Sequence, residues 1–118
     1  MSKAVRSIIK KMESYPRFYR RVWLECAKIP RGKTRSYKDI ARAVGNPRAS
    51  RAVAGALGAN PFAPVIPCHR VVCSDGKVGG YSGGGGIRKK ISLLAAEGVR
   101  IRRGKVAAVT RFAVGGKK

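Results

Sequence analysis

The chain has 118 residues, of which 27 are Lys or Arg and 5 are Asp or Glu, so its formal net charge at pH 7 is +22. This length accommodates one hydrophobic core and excludes two independent domains. The hydrophobic fraction of 44% is too high for a disordered basic tail. No apolar run approaches the roughly 18 residues of a transmembrane helix, and residues 1–11 carry charges where a secretory signal is apolar.

The charge and the cysteines predict a partner and a compartment. A strongly positive chain binds a polyanion, most often nucleic acid, although a ribosomal or chromatin-like packing protein would carry the same charge. Three cysteines is a small and odd number, which argues against a disulfide scaffold and favours a reducing compartment. We therefore expect a cytoplasmic protein, associated with the nucleoid if the source is a prokaryote.

The first part of the sequence predicts two amphipathic helices. Apolar residues recur at helical spacing from Lys3 to Tyr15, and the following Pro16 ends that pattern. A second helix is expected over residues 17–28 because its aromatic and apolar residues fall on one stripe.

The next segment predicts a helix-turn-helix. Ser36 and Asp39 form a capping-box-like pattern at the start of one helix, and Gly45 can end it in the left-handed conformation. Asn46 and Pro47 suit the cap and the first position of another helix. Two short helices joined by a tight turn with glycine are typical of this motif.

The second helix of that pair, residues 48–59, consists almost entirely of small residues and arginines. Arg48, Arg51 and Gly55 fall on one of its faces. Small residues let a helix backbone approach another surface, but they also suit a tightly packed core helix. From the residues alone, both interpretations stay open.

A cysteine stands next to the only histidine of the chain, at Cys68 and His69. Three interpretations compete: a zinc site formed with Cys26 and Cys73, a buried core cysteine, and a nucleophile activated by the imidazole. Adjacent ligands fit tetrahedral zinc poorly, and the chain has no Cys-x-x-Cys pair, so we expect no metal. A nucleophile needs a carboxylate behind the histidine, for which Glu97 is the best candidate.

The segment Pro67-Cys68-His69-Arg70-Val71-Val72 resembles the active-site motif of the O6-alkylguanine-DNA alkyltransferases, also called methylated-DNA–protein-cysteine methyltransferases. The similarity covers residues 18–99 and keeps the order and spacing of a whole set of short motifs. These are Val22-Trp23, Ile29-Pro30-Arg31-Gly32, Ser36-Tyr37, Gly45-Asn46-Pro47, Arg51-Ala52-Val53, Asn60-Pro61, Gly80-Tyr81-Ser82-Gly83, Leu93-Leu94 and Glu97-Gly98.

The resemblance implies an enzyme that acts once, moving an alkyl group from guanine O6 in duplex DNA to its own cysteine. By similarity Cys68 accepts the group, His69 draws the thiol proton through a water, and Glu97 orients His69. Asn60 braces the turn of the active site, and Tyr37 donates a hydrogen bond toward the guanine ring nitrogen. No cofactor is implied.

The resemblance also implies base flipping from the minor groove. Arg51 occupies the space that the flipped base leaves, and Ser82 lies in a closing loop from which it hydrogen-bonds O6. The implied DNA-binding residues are Arg51, Ser36, Arg48, Ala52 and Gly55, and the implied substrate-binding residues are Tyr81, Ser82 and Val71.

The expected fold is mainly α, a winged-helix-like helix-turn-helix domain with a short β element. We expect an N-terminal helix over 1–17 in place of the family's usual N-terminal domain, an alkyltransferase domain over 18–99 and a basic tail over 100–118, with a strand or hairpin within 105–114. The expected form is a monomer on double-stranded DNA. The alternative is an alkyltransferase-like protein, a class that binds the lesion without accepting the group and commonly has tryptophan in place of the acceptor cysteine.

Overall fold

The computed structural model describes residues 2–81, 86–107 and 110–112. Its helices and strands are α1 (Lys3–Ile9), α2 (Arg17–Ala27), β1 (Arg35–Ser36), α3 (Tyr37–Ala43), α4 (Ser50–Gly58), β2 (Val71–Val72), α5 (Gly86–Ala96), β3 (Ile101–Arg102) and β4 (Lys105–Val106). Two 3₁₀ helices cover Lys10–Ser14 and Cys68–Arg70. The predicted mainly α fold is confirmed.

The N-terminal segment differs from the single predicted helix over 3–15. After α1 the chain tightens into the 3₁₀ helix, a common ending for an α-helix, and Tyr15 then takes an extended conformation before Pro16. This change of pitch keeps both Val5 and Met12 buried in the main core. The segment therefore packs on the same core as the residues that follow it.

α2 is anchored by the single tryptophan of the chain. Trp23 is fully buried, and its indole Nε1–H donates a 2.8 Å hydrogen bond to the carbonyl of Ala56 in α4. Tyr15, Tyr19 and Phe62 pack edge-on against it, with ring centroids 5.0 to 5.7 Å away. Since an indole N–H needs a partner when buried, this bond fixes how α2 sits against α4.

The predicted start and end of α3 are confirmed. The Ser36 hydroxyl accepts from the Asp39 backbone N–H at 2.9 Å, and the Asp39 carboxylate accepts from the Ser36 N–H at 3.0 Å. These two bonds satisfy amides that have no partner within the helix. At the other end Gly45 has a φ of +85°, which glycine adopts without strain.

The predicted start of α4 is wrong. The helix begins at Ser50, because residues 46–49 form a turn in which the Ala49 N–H donates to the Asn46 carbonyl at 3.0 Å. Asn46 and Pro47 therefore belong to this turn and do not cap the helix. Arg48 lies in the turn too, so it does not share a helical face with the arginine and glycine of α4.

Two small sheets complete the fold. β1 pairs in parallel with β2, with Arg35 opposite Val71 and Ser36 opposite Val72. β3 and β4 form an antiparallel hairpin, so the predicted C-terminal β element begins at Ile101, before the 105–114 window, while β4 lies within that window. Of that window, residues 108–109 and 113–114 lie outside the described residues.

The hairpin has its own small core. Val78, Leu94 and Val99 form a buried cluster, against which Ile101 and Val106 pack. Farther along, residues 110–112 return to the edge of β1, through a bridge between Thr34 and Arg111. Within 2–81 and 86–107, no helix has the length and apolar character needed to cross a membrane.

Candidate active site and DNA-binding face

A cavity of about 360 Å³ opens between the start of α3, the outer part of α4 and the Cys-His-Arg turn. The residues that line it are Tyr37, Ala54, Leu57, Gly58, Cys68, Gly80 and Tyr81. The volume falls at the lower end of the range of small-ligand pockets, which is about 300–1,000 Å³. Three side chains predicted from the sequence thus meet in one cavity wall, those of Tyr37, Cys68 and Tyr81.

The turn that carries Cys68 is fixed by hydrogen bonds to the backbone. The Cys68 N–H donates to the Ile66 carbonyl at 2.8 Å, and the Asn60 side-chain amide donates to that same carbonyl at 2.9 Å. The Asn60 side-chain oxygen in turn accepts from the Phe62 N–H at 2.8 Å. Asn60 therefore connects the two ends of the loop that leads to Cys68.

His69, which follows Cys68 in the chain, forms one polar cluster with Glu97 and Arg70. His69 Nε2 lies 3.1 Å from Glu97 Oε2. The same carboxylate accepts two hydrogen bonds from Arg70, from Nε at 2.9 Å and from Nη2 at 2.6 Å. His69 is 2% exposed, so this cluster is shielded from solvent.

The pKa values of His69 and Glu97, the two titrating groups of this cluster, both lie below their usual values. Burial of His69 lowers its pKa below the usual value, and the hydrogen bond to Glu97 offsets part of that shift. Burial raises the pKa of Glu97, but the hydrogen bonds from Arg70 and His69 outweigh burial and hold that pKa below its usual value. At neutral pH the pair is therefore a neutral imidazole beside a carboxylate.

These charge states determine the tautomer of the histidine. A carboxylate only accepts hydrogen bonds, so the proton of the neutral His69 ring lies on Nε2, facing Glu97. The lone pair then lies on Nδ1, which is buried and has no hydrogen-bond partner among the described residues. The ring can accordingly accept a proton at Nδ1, and the nearby carboxylate would stabilise the imidazolium that results.

Arg70 was not assigned a role from the sequence, although it belongs to the quoted motif. Its guanidinium also donates to the Ile29 carbonyl at 2.8 Å, which ties the turn after α2 to Glu97. Gly32 in that turn has a φ of +86°, and a Cβ there would lie 3.2 Å from the Glu97 carbonyl oxygen. Only such long-range contacts distinguish Arg70 from the many arginines at the surface.

Lys90 is the second residue that the sequence analysis missed. Its side chain is fully buried, and its ammonium donates to the Val71 carbonyl at 2.7 Å, the Gly80 carbonyl at 3.1 Å and the Tyr37 hydroxyl at 3.3 Å. It therefore connects α5 to two residues of the cavity wall. Lys90 belongs to the basic run Arg88-Lys89-Lys90, which is typical of an exposed segment. The signal in the sequence that Lys90 is buried was its spacing of four from Leu94, which is also buried.

Tyr37 is held as a neutral phenol. Burial raises its pKa to about 12, so the hydroxyl keeps its proton at neutral pH and can act as a hydrogen-bond donor. Gly79, with a φ of +78°, passes so close that a Cβ there would lie 3.1 Å from the phenol oxygen. Glycine at this position leaves room for the tyrosine at the cavity wall.

Burial lowers the pKa of Lys90 to about 8, while nearby thiols oppose the shift. Between pH 8 and 10.5 the unfolded chain binds more protons than the folded chain, so this lysine makes stability rise with pH. We expect the unfolding free energy of wild type, relative to Lys90→Met, to increase on the order of 2 kcal/mol from pH 8 to pH 10. Urea unfolding at several pH values measures this difference in unfolding free energy, and Lys89→Met, at an exposed lysine, is the control. An equal pH dependence relative to Lys89→Met would contradict the lowered pKa of Lys90.

The small residues of α4 are divided between a face buried in the core and an exposed face. Val53, Ala56 and Leu57 are buried in the core, whereas Arg51, Ala52 and Gly55 are exposed. Nothing lies within 4 Å of the position of a Cβ on Gly55. The helix thus has one packed face and one open face of low relief, with Arg51 one turn before Ala54 of the cavity wall.

Three further predicted residues, Ser36, Arg48 and Val71, do not line the cavity. Ser36 is buried and its hydroxyl is occupied by the cap of α3, and Arg48 is exposed in the turn before α4. Val71 is buried, does not line the cavity and contributes its carbonyl to the Lys90 ammonium. Ser82 lies outside the described residues.

The cysteines differ in their surroundings. Cys26 is fully buried in the core, and burial raises its pKa, whereas Cys73 is partly exposed. In the described part of the chain, no three His, Cys, Asp or Glu side chains lie together as a ligand set for a metal ion.

Comparison with known proteins places this site in context. A family model described as 6-O-methylguanine DNA methyltransferase, DNA binding domain, matches residues 17–99. The chain is 50% identical over 95 residues to the methylated-DNA–protein-cysteine methyltransferase of Mycolicibacterium paratuberculosis, covering 80% of this chain and 54% of that protein. A probable enzyme of the same name from Acanthamoeba polyphaga mimivirus is 54% identical over 80 residues, 68% of this chain and 52% of that protein. The chain thus spans about half the length of these curated relatives.

Solved structures show the same similarity. The Mycobacterium tuberculosis OGT in complex with DNA matches with a TM-score of 0.67 and 49% identity, over 70% of this chain and 50% of that chain. S. pombe Atl1, in complex with damaged DNA containing O6-carboxymethylguanine, matches with a TM-score of 0.72 and 29% identity, over 81% of this chain and 94% of that chain. Both similarities extend over most of the described fold.

Proposed function

Because the chain belongs to the 6-O-methylguanine DNA methyltransferase family through its DNA-binding domain, we propose that it repairs DNA by direct alkyl transfer. The donor is O6-alkylguanine in duplex DNA, the acceptor is Cys68, and each molecule acts once. The observation that carries this proposal is the position of Cys68, in the wall of a cavity beside the open face of α4 and next to the His69–Glu97 pair. One chain supplies all these groups, which supports action as a monomer. The proposed place of action is DNA in the cytoplasm or nucleoid.

The proposed transfer is a displacement at the alkyl carbon. The Cys68 thiol gives its proton, through a water, to Nδ1 of His69, and the sulfur then forms a bond to the alkyl carbon as the bond from that carbon to guanine O6 breaks. The departing guanine takes the electron pair of the broken bond, and the Tyr37 hydroxyl donates a hydrogen bond to it. The proton that His69 took from the thiol then passes through water to the guanine, which leaves the imidazole neutral again. The products are a thioether on Cys68 and an unmodified guanine.

The lesion must leave the base stack before this chemistry, since a thiol cannot reach O6 of a stacked guanine. The open face of α4 suits the minor groove, where contacts read little sequence and where a repair protein can search any DNA. Arg51 would enter the stack in place of the extruded base, and Tyr81 would contact the base within the cavity.

Mass spectrometry after incubation with a duplex that contains O6-methylguanine tests the proposal. We expect one added methyl group, on the peptide that contains Cys68, and one guanine restored for each protein molecule. The partly exposed Cys73 provides an internal control within the same digest. A methyl group on Cys73 or Cys26 would contradict the assignment of the acceptor.

Lesion binding without transfer is the second candidate function. The observation that favours it is the structural similarity to Atl1, with a TM-score of 0.72 over 94% of that chain. This function would leave the methyl group on the DNA and the DNA bound to the protein. The cysteine at position 68 favours transfer, because the alkyltransferase-like class that the sequence analysis considered lacks it.

The variant Arg51→Ala distinguishes a role in base flipping from a role in binding DNA. Extruding a base costs a few kcal/mol, and a side chain that fills the gap recovers part of that cost. We expect the variant to repair duplex DNA about 10- to 100-fold more slowly while it reacts normally with free O6-alkylguanine base, which needs no flipping. Single-turnover rates on both substrates measure this difference.

Arg48→Ala is the matched control, since it removes an exposed arginine from the turn before the same helix. It should weaken duplex binding and leave the rate at saturating DNA unchanged. If Arg51→Ala is impaired equally on duplex and on free base, Arg51 supports the fold of the site and does not replace the flipped base.

A further inference from the structure

The hairpin formed by β3 and β4 lies beyond residues 17–99, the segment that matches the family model. Its two strands pair with Ile101 opposite Val106 and Arg102 opposite Lys105. Ile101 and Val106 face the small core beneath the hairpin, so Arg102 and Lys105 share the outer face. The turn between them is Arg103-Gly104, and all three basic residues are exposed. We call residues 101–106 the cationic hairpin.

The charges of this hairpin are arranged at a cost to stability. Like charges directly opposite each other on antiparallel strands repel, and Arg102 and Lys105 hold that position. Among the described residues, neither they nor Arg103 forms an ion pair with a carboxylate. The nearby Asp75 lies 3.9 Å from Lys77 and partly neutralises that lysine instead.

The backbone of Arg103 is strained, which destabilises the hairpin in addition to the repulsion between Arg102 and Lys105. Its φ is +52°, in the left-handed region, and it is the only non-glycine residue of the described chain with a positive φ. A tight hairpin turn with two positive φ values ordinarily has asparagine, aspartate or glycine at this position. Arginine there gains nothing within the folded chain, which suggests a partner outside it.

Hydrogen bonds place the turn of the hairpin beside the candidate active site. The Val106 N–H donates to the Gly76 carbonyl at 2.9 Å, and the Val78 N–H donates to the Gly104 carbonyl at 2.9 Å. Residues 76–78 thus run antiparallel to β4, toward the turn, and two residues after Val78 the chain reaches Gly80 of the cavity wall. The backbone of the turn lies within about 12 Å of that wall.

We infer that the cationic hairpin binds the phosphate backbone of duplex DNA within a few phosphates of the nucleotide in the cavity. Three exposed cations around one turn complement a row of phosphates, and a bound polyanion would relieve the repulsion between Arg102 and Lys105. The hairpin would then be the wing of this helix-turn-helix domain, and it would hold the strand on one side of the cavity while α4 occupies the minor groove. This inference rests on the proposed function, because it takes DNA as the partner.

The test compares two variants that each lose three positive charges. Arg102→Gln/Arg103→Asn/Lys105→Gln removes the charges of the hairpin, with asparagine chosen because it tolerates a positive φ. Lys3→Gln/Arg6→Gln/Lys10→Gln removes exposed charges from α1 and the 3₁₀ helix after it, which contribute no residue to the cavity. Binding to an undamaged duplex of random sequence is measured by fluorescence anisotropy at several salt concentrations.

We expect the hairpin variant to bind about 10- to 100-fold more weakly near 0.1 M salt, with the slope of log K against log salt reduced by about 2 to 3. The control variant should change the affinity by less than about threefold. Equal losses in the two variants, or an unchanged affinity in the hairpin variant, would overturn the inference. Undamaged DNA keeps this result independent of alkyl transfer: failure of the proposed function would show instead as wild-type protein without a methyl group on Cys68.

Arg103→Gly provides a second measurement that a misfolded variant cannot imitate. Glycine relieves the strained backbone, so the melting temperature should rise by about 2 to 5 °C. The affinity for the same duplex should fall at the same time, by about three- to tenfold. Greater stability with unchanged affinity would show that Arg103 makes no contact with DNA, and would overturn its place in the inferred surface.

Discussion

Cys68→Ser should abolish alkyl transfer and leave DNA binding within a few fold of wild type. A serine hydroxyl has nearly the same size as the thiol, so the turn held by Asn60 and the Ile66 carbonyl should persist. The hydroxyl is far less acidic than a thiol, and the neutral His69 imidazole cannot generate its anion at a useful rate. Single-turnover reactions with a radiolabelled methylated duplex measure transfer, and anisotropy measures binding.

Two further variants make this result specific to the nucleophile. Cys73→Ser changes a partly exposed cysteine and should transfer at the wild-type rate. Cys26→Ser places a hydroxyl in the main core, so it should lower the melting temperature without preventing transfer by the molecules that fold. Residual transfer by Cys68→Ser, with label on Cys26 or Cys73, would remove Cys68 from the role of acceptor.

The parts of the fold that local interactions determine could be predicted from the sequence. The cap of α3 depends on Ser36 and Asp39, three residues apart, and its end depends on the backbone freedom of Gly45. Such signals act within one turn of chain, so they need no knowledge of the tertiary structure. The prediction for the start of α4 was wrong because it also used a local signal: Asn46 and Pro47 suit a helix start and a turn equally well.

Partners that are distant in the sequence could not be predicted from composition or spacing. Arg70 and Glu97 are 27 positions apart, and Lys90 and Tyr37 are 53 positions apart. In a chain with 27 basic residues, the spacing of four between Lys90 and Leu94 is a weak local signal that the lysine is buried. Its partners become visible only when α5 is packed against the residues of the cavity wall.

The resemblance to a family supplied what local reasoning left open. From the residues alone, Cys68 could be a zinc ligand, a core residue or a nucleophile, and Glu97 was only a candidate carboxylate. The fold then brings His69 and Glu97 within 3.1 Å and adds Arg70, a partner that neither approach had given a role. The roles themselves stay predictions, and the carboxylate gives the sharpest test of them.

Glu97→Gln should slow transfer by about 10- to 1,000-fold, the range of an acid–base contribution, with little change in DNA affinity. The amide cannot stabilise an imidazolium as a carboxylate does, and it leaves Arg70 without its ionic partner. The change also predicts a direction in pH. Glu97 raises the pKa of His69 against the larger lowering by burial, so its loss should move the acidic limb of the rate–pH profile to lower pH.

Glu13→Gln is the matched control, since it removes one carboxylate from an exposed site on the 3₁₀ helix after α1. It should leave both the rate and the pH profile unchanged. A merely structural role for Glu97 would lower the melting temperature and the fraction of active protein, yet the molecules that react would keep the wild-type pH dependence. A slower rate combined with a displaced acidic limb therefore identifies the carboxylate as a group that acts through His69. An unchanged single-turnover rate would mean that the histidine draws the thiol proton without it.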